Sequence, residues 1–98
     1  DPTYKRLKQL TRERDQLVQE RTIVKNQLHA EQAEAEPNKS SIGRIKERIA
    51  VLKRQEKEIM TELKLLVKES SVLEKEIDNL TSIPGVGLLT AVTVLAET

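Results

Sequence analysis

The fold is decided by residues 42–80, which read IGRIKERIAVLKRQEKEIMTELKLLVKESSVLEKEIDNL. Large aliphatic side chains recur there at alternating spacings of three and four, which is the period of a coiled-coil seam. Only Glu56 and Ser70 are polar in this register, and the remaining seam positions are Ile42, Ile45, Ile49, Leu52, Ile59, Leu63, Leu66, Leu73, Ile77 and Leu80. The stretch predicts one long helix over about 41–80, with Ser40 or Ser41 as its N-cap.

An earlier helix is predicted over about 3–35, since nothing in that stretch breaks a helix. Its seam carries arginine at two positions and aliphatic side chains at the others: Leu7, Leu10, Arg14, Leu17, Arg21, Val24 and Leu28. Pro37 ends this helix because its ring disfavours the helical conformation of the preceding residue and supplies no amide hydrogen. Two long helices joined by so short a turn must run antiparallel.

Folding the chain about this turn brings Glu56 to within one helical turn of Arg21. Two outcomes are open. The side chains form an ion pair that fixes the register of the helices, or both extend past the seam into solvent.

The composition agrees with an all-α, long antiparallel helical hairpin of the coiled-coil type. The chain has 98 residues, 34% of them charged, and one tyrosine as its whole aromatic content. A deep globular core is therefore not expected. The second helix also carries an apolar stripe off its seam, made by Val51, Met60, Leu65, Val67 and Val72. This stripe predicts a homo-oligomer, most simply a dimer forming a four-helix bundle, and the alternative is a monomer with those residues exposed.

Catalytic and metal-binding patterns are not found in the sequence. The absence of cysteine excludes disulfides and thiolate chemistry. His29 is the lone histidine, and the serines lack a base partner, so we predict no catalytic residue and no metal ligand. No apolar run reaches the roughly 18 residues that span a bilayer. The polar start and the stop inside a helical pattern suggest a piece of a longer intracellular protein, without a membrane partner.

The tail changes pattern at residues 83–91, which read IPGVGLLTA. Its glycines permit a tight hairpin, and the free amides that open the following helix favour an anion such as phosphate. Together with the helix ending near Leu80, this pattern is typical of a helix-hairpin-helix motif that binds a DNA backbone without reading bases. The candidate contacts are Gly85, Val86, Gly87 and Leu88. An ordinary turn between two helices is the competing interpretation.

Two strings resemble one family. Residues 10–30, LTRERDQLVQERTIVKNQLHA, and residues 80–97, LTSIPGVGLLTAVTVLAE, look like segments of bacterial DEDD (RuvC-like) transposases of the insertion-sequence 110/116/902 type. The resemblance implies a coiled coil over 1–80 and the start of the C-terminal transposase domain over 81–98. It also implies a cytoplasmic bacterial recombinase that assembles as a dimer or tetramer, binds DNA, and in some members uses a guide RNA.

The same resemblance places the chemistry outside this chain. In the family, an acidic tetrad holding Mg²⁺ would precede Asp1 and a nucleophilic serine would follow Thr98. The parent is then an enzyme, whereas this segment carries no catalytic residue and no cofactor of its own.

The basic residues of the first helix have two interpretations. Arg12, Arg14, Arg21 and Lys25 can contact the phosphates of DNA or guide RNA. Alternatively, Arg14 and Arg21 span the seam while Arg12 and Lys25 pair with nearby acids. The functional prediction is an oligomerisation and spacer segment of a DNA transposase, used in transposition and recombination. The competing function is a generic coiled-coil adaptor with no nucleic-acid role.

Overall fold

The computed structural model describes residues 2–97. Within these residues four helices follow one another: α1 at Pro2–Gln32, α2 at Lys39–Glu69, α3 at Ser71–Thr81 and α4 at Leu88–Glu97. Residues 2–97 contain no β-strand. Helices α1 and α2 pack against each other as a hairpin, so the predicted all-α helical hairpin is confirmed.

The turn between α1 and α2 differs in detail from the prediction. Helix α1 ends at Gln32 rather than near residue 35, and α2 begins at Lys39. The cap of α2 is Asn38, not Ser40 or Ser41, because its side-chain Oδ1 accepts the Ser41 amide at 3.1 Å. Its carbonyl accepts the Ile42 amide at 3.0 Å, the first bond of the helix. Asparagine is as good an N-cap as serine, and it is the first capping residue after Pro37.

The seam assignment is confirmed along both helices. Every aliphatic residue assigned to the seam is buried or half-buried, and none is exposed. Among them, Leu7, Leu63 and Leu73 have no appreciable solvent exposure. Burial of this stripe, with charged residues on the opposite face, is what holds a hairpin of long helices together.

Residues 14–58 form one compact unit, containing the second half of α1, the turn and the first half of α2. Its buried apolar residues are Leu17, Val24, Ile45 and Leu52. This core is small, so the partly covered Arg21–Glu56 pair in the same unit is expected to contribute to its stability.

The second unit contains residues 2–13 and 59–97. Here α4 packs against α3. Helix α4 inserts its buried face, Ala91, Val92 and Ala96, and the two alanines allow its backbone to approach closely. Leu7, Leu63, Leu73 and Val92 are its most deeply buried large side chains, and they come from four different helices. This unit therefore has a small core of its own.

The continuous helix predicted over 41–80 is interrupted at Ser70, which is a correction. Ser70 is extended, with φ −119° and ψ 111°, and its side chain caps α3 by accepting the Leu73 amide at 3.2 Å. Heptad spacing did not reveal the break because Ser70 occupies a polar position in an otherwise unbroken register. Serine competes with the helix by capping the residues that follow it.

The off-seam stripe of the second helix divides into three groups. Val51, Leu65 and Val72 are exposed, at 41%, 55% and 63%. Met60 is half-buried, whereas Val67 is buried within the second unit. The stripe is therefore only partly free to meet a partner.

Candidate nucleic-acid interface and its charged neighbours

The segment between α3 and α4 is a tight turn centred on Pro84 and Gly85. The Val86 amide donates to the Ile83 carbonyl at 3.1 Å, and Gly85 has φ of 85°. Proline followed by a positive-φ glycine inside such a bond is the signature of a type II turn. Gly85 is thus required by the backbone, while Gly87 does not use a positive φ.

The start of α4 offers amides to a ligand. The first helical bond runs from the Ala91 amide to the Gly87 carbonyl at 3.0 Å. Within residues 2–97, the amides of Leu88, Leu89 and Thr90 show no hydrogen-bond acceptor, as expected for the first turn of a helix. The helix dipole adds a partial positive charge at the same place.

The four candidate DNA contacts are not equivalent. Gly85 and Gly87 are exposed, and a Cβ built on either glycine would meet nothing within 4 Å. Val86 and Leu88 are half-buried. The Val86 amide is already bonded within the turn, so it is removed from the set of available donors. The glycines and the first turn of α4 remain open to another backbone.

Arg21 and Glu56 form the ion pair that was one of the two outcomes open from the sequence. The arginine Nε lies 2.6 Å from Oε2 of Glu56, and its Nη2 lies 3.3 Å from Oε1. Both side chains are mostly covered, with exposures of 28% and 15%. The two parallel contacts are the bidentate geometry that guanidinium and carboxylate favour. Arg21 is thereby committed to the seam of the hairpin.

The other basic candidates are less constrained. Arg14 is partly covered, with Nη1 4.0 Å from Oδ1 of Asp15. Arg12 and Lys25 are exposed. Two of the four predicted nucleic-acid contacts thus sit at the seam and two face solvent. His29 lies exposed in the last turn of α1, where a cation is favourable.

Sequence reasoning missed a pair that joins α1 to α3. The Tyr4 hydroxyl donates to Oε2 of Glu76 at 2.8 Å, although 72 residues separate the two. The hydrogen bond to Glu76, with burial and the carboxylate charge adding to it, raises the pKa of the Tyr4 phenol above 10.0. The one signal in the sequence was the position of Tyr4, the sole aromatic residue, at the start of α1 and outside the seam assigned to that helix.

We expect Glu76→Gln to lower the pKa of Tyr4 towards 10.0, because the variant replaces the charged hydrogen-bond acceptor of the phenol with a neutral amide. An absorbance titration of tyrosinate measures this directly, since Tyr4 is the only aromatic residue. The exposed neighbour Glu74→Gln is the matched control and should leave the titration unchanged.

The sign of the stability effect follows from the raised pKa. The contribution of this pair is fully present below the unfolded tyrosine pKa of 10.0 and is lost as the pH rises through the higher folded value. Equal titrations of the parent and Glu76→Gln would contradict the assignment.

Residues 2–97 contain no cluster of three or more His, Asp or Glu side chains placed to hold a metal ion. Within the same range, none of the helices is long and apolar enough to cross a membrane.

Comparison with known proteins yields no relative. No family model, no curated protein and no solved structure matches this chain.

Proposed function

We propose that this chain is the helical spacer and oligomerisation segment of a DNA transposase, ending in a hairpin that binds a DNA backbone. The geometric part of the function belongs to the hairpin of α1 and α2, in which the Arg21–Glu56 pair fixes the register within residues 14–58. In this proposal the hairpin is the segment that spaces the domains it joins.

The observation that carries the nucleic-acid part is the open turn between α3 and α4. Helix α3, the type II turn and α4 together form a helix-hairpin-helix arrangement, with α4 packed on α3. Exposed glycines and unbonded amides at the start of α4 suit a phosphate, because backbone donors and the helix dipole act on the same anion. Contacts of this type are independent of base sequence.

Gly87→Val tests this proposal by placing a side chain where the phosphate would approach. Gly87 needs no positive φ and has free space around it, so the valine side chain fits. Valine is a poorer N-cap than glycine, and amide exchange of the α4 residues in the variant checks that the helix still forms. In a gel-shift titration with a mixed-sequence duplex at low salt, we expect the affinity to fall about tenfold, equivalent to roughly 1.4 kcal/mol.

Gly43→Ala is the matched control for this substitution. Gly43 also has nothing within 4 Å, but it is the fifth residue of α2, and the change should leave DNA binding as it is. The proposal fails if the parent does not shift the duplex, or if Gly87→Val binds as tightly as the parent. Binding should also weaken with added salt, because phosphate contacts release counterions.

The partner proposed for the exposed part of the α2 stripe is a second copy of the chain. Large apolar side chains left in solvent favour association. Sedimentation equilibrium at tens of micromolar should then give the mass of a dimer, and a monomer mass would count against the four-helix bundle.

A generic coiled-coil adaptor remains the second candidate function. The seam of α1 and α2 suits it equally well, but the adaptor gives no reason for an exposed Pro-Gly-Val-Gly turn. A parent reading frame with neither an upstream acidic tetrad nor a downstream serine would favour the adaptor.

A further inference from the structure

We infer that Ser70 is a switchable joint between the end of α2 and the α3–α4 hairpin unit. In one form the helix is broken and capped at Ser70, as described above. In the other form α2 and α3 join into one continuous helix over residues 39–81. The regulatory meaning of the joint rests on the proposed DNA contact, whereas the existence of the two forms does not.

The sequence around the joint is compatible with both forms. Sharp breaks in helices are almost always found at proline, at glycine and serine pairs, at π-bulges or where a group is inserted. Residues 44–82 contain neither proline nor glycine, so the Ser70-Ser71 pair is the feature of the sequence that permits the break. The seam spacing also passes through residue 70 without a skip, so a joined helix would keep Leu73 and Ile77 on the stripe that carries Leu63 and Leu66.

The contacts that hold the break are few and local. Ser70 Oγ accepts the Leu73 amide at 3.2 Å, and the Ser70 amide donates to the Val67 carbonyl at 3.3 Å. In return, the break leaves amides without an intrahelical partner. Among the described residues, those of Ser71 and Val72 show no acceptor, and both residues are exposed.

Joining the helices would bond those two amides to carbonyls one turn earlier and would give up the serine cap. The opposing contribution to the broken form comes from the contact of α3 with α1, where the Tyr4 hydroxyl donates to Glu76. The packing of α4 on α3 moves with α3 and favours neither form. The joined form gains two backbone hydrogen bonds and loses one serine cap, so the free-energy difference between the two forms is small. A small difference is the condition for both forms to be populated.

A change at the joint would reorient α3, α4 and the turn at Gly85 relative to the end of α2. The hairpin of α1 and α2 would stay intact. A DNA strand that binds the turn better in one form shifts the equilibrium towards that form by the ratio of its two affinities. DNA binding at the turn between α3 and α4 would in this way change the conformation at the end of α2.

Two substitutions should drive the joint in opposite directions. Ser70→Ala removes the cap and introduces the best helix former, so it should favour the joined helix. Ser71→Pro should lock the break. Proline suits the first position of a helix, and it holds the preceding residue in the extended region that Ser70 already occupies.

Backbone chemical shifts and amide exchange of the full chain report on the joint directly. In Ser70→Ala we expect helical shifts at residue 70 and slowed exchange of the Ser71 and Val72 amides. In Ser71→Pro we expect extended shifts at Ser70 and a fast-exchanging Val72 amide. The parent should show relaxation dispersion at residues 70–72, and Ser71→Pro should abolish it.

The inference is overturned if Ser70→Ala keeps extended shifts and a fast Val72 amide, or if the parent shows no dispersion at residues 70–72. Should Ser70→Ala not fold, Ser70→Leu provides the same test while filling the seam position. None of these measurements uses DNA. Loss of DNA binding would therefore overturn the proposed function and leave the joint standing, and the reverse also holds.

Discussion

Leu63→Ala should lower the free energy of unfolding by about 2–5 kcal/mol, the range for removing a fully buried leucine side chain. Leu63 has 0% exposure and belongs to the second unit. The loss includes both the transfer of the apolar atoms and the cavity left behind. Chemical denaturation followed by helical circular dichroism measures it.

Leu65→Ala is the matched control for this prediction. It removes the same atoms two residues further along α2, from a side chain that is 55% exposed. We expect a change within about 0.5 kcal/mol, the usual size for surface positions. Equal losses for the two variants would mean that the seam has been assigned to the wrong face of α2. If Leu65→Ala also weakens self-association, the exposed stripe is the contact between copies.

Glu56→Lys should destabilise the hairpin by roughly 2–3 kcal/mol. It replaces the bidentate partner of Arg21 with a like charge at a site where both side chains are mostly covered. Removing one member of a buried pair costs about 3–5 kcal/mol, and the partial exposure of this pair reduces that figure. Thermal or denaturant unfolding of the variant gives the value.

The double variant Arg21→Glu with Glu56→Lys restores opposite charges and should recover a large part of the loss. Glu58→Lys supplies the comparison at the surface, since Glu58 pairs with Arg54 at 3.5 Å while both side chains are more than half exposed. That change should stay within about 0.5 kcal/mol, because exposed ion pairs are screened by water and salt. A double variant no more stable than Glu56→Lys would show that the pair does not set the register.

The candidate site was predictable from the sequence in its local part only. The sequence IPGVG requires a turn, and Pro84 followed by Gly85 selects type II through the dihedral preferences of those two residues alone. The loss of the Val86 amide to that same turn follows from the turn type. The commitment of Arg21 to Glu56 rather than to a phosphate depends on which side chain lies across the seam, and the sequence left both outcomes open.

Heptad spacing was sufficient to establish the two long helices, their seam and their antiparallel course, because burial of a periodic stripe and the length of the turn are both local properties of the chain. The break at Ser70 and the Tyr4–Glu76 pair were decided by tertiary structure. A serine can continue a helix or cap the next one, and the Tyr4–Glu76 contact between α1 and α3 is one that the broken form makes. No periodicity in the sequence predicts a contact between two residues as far apart in the chain as Tyr4 and Glu76.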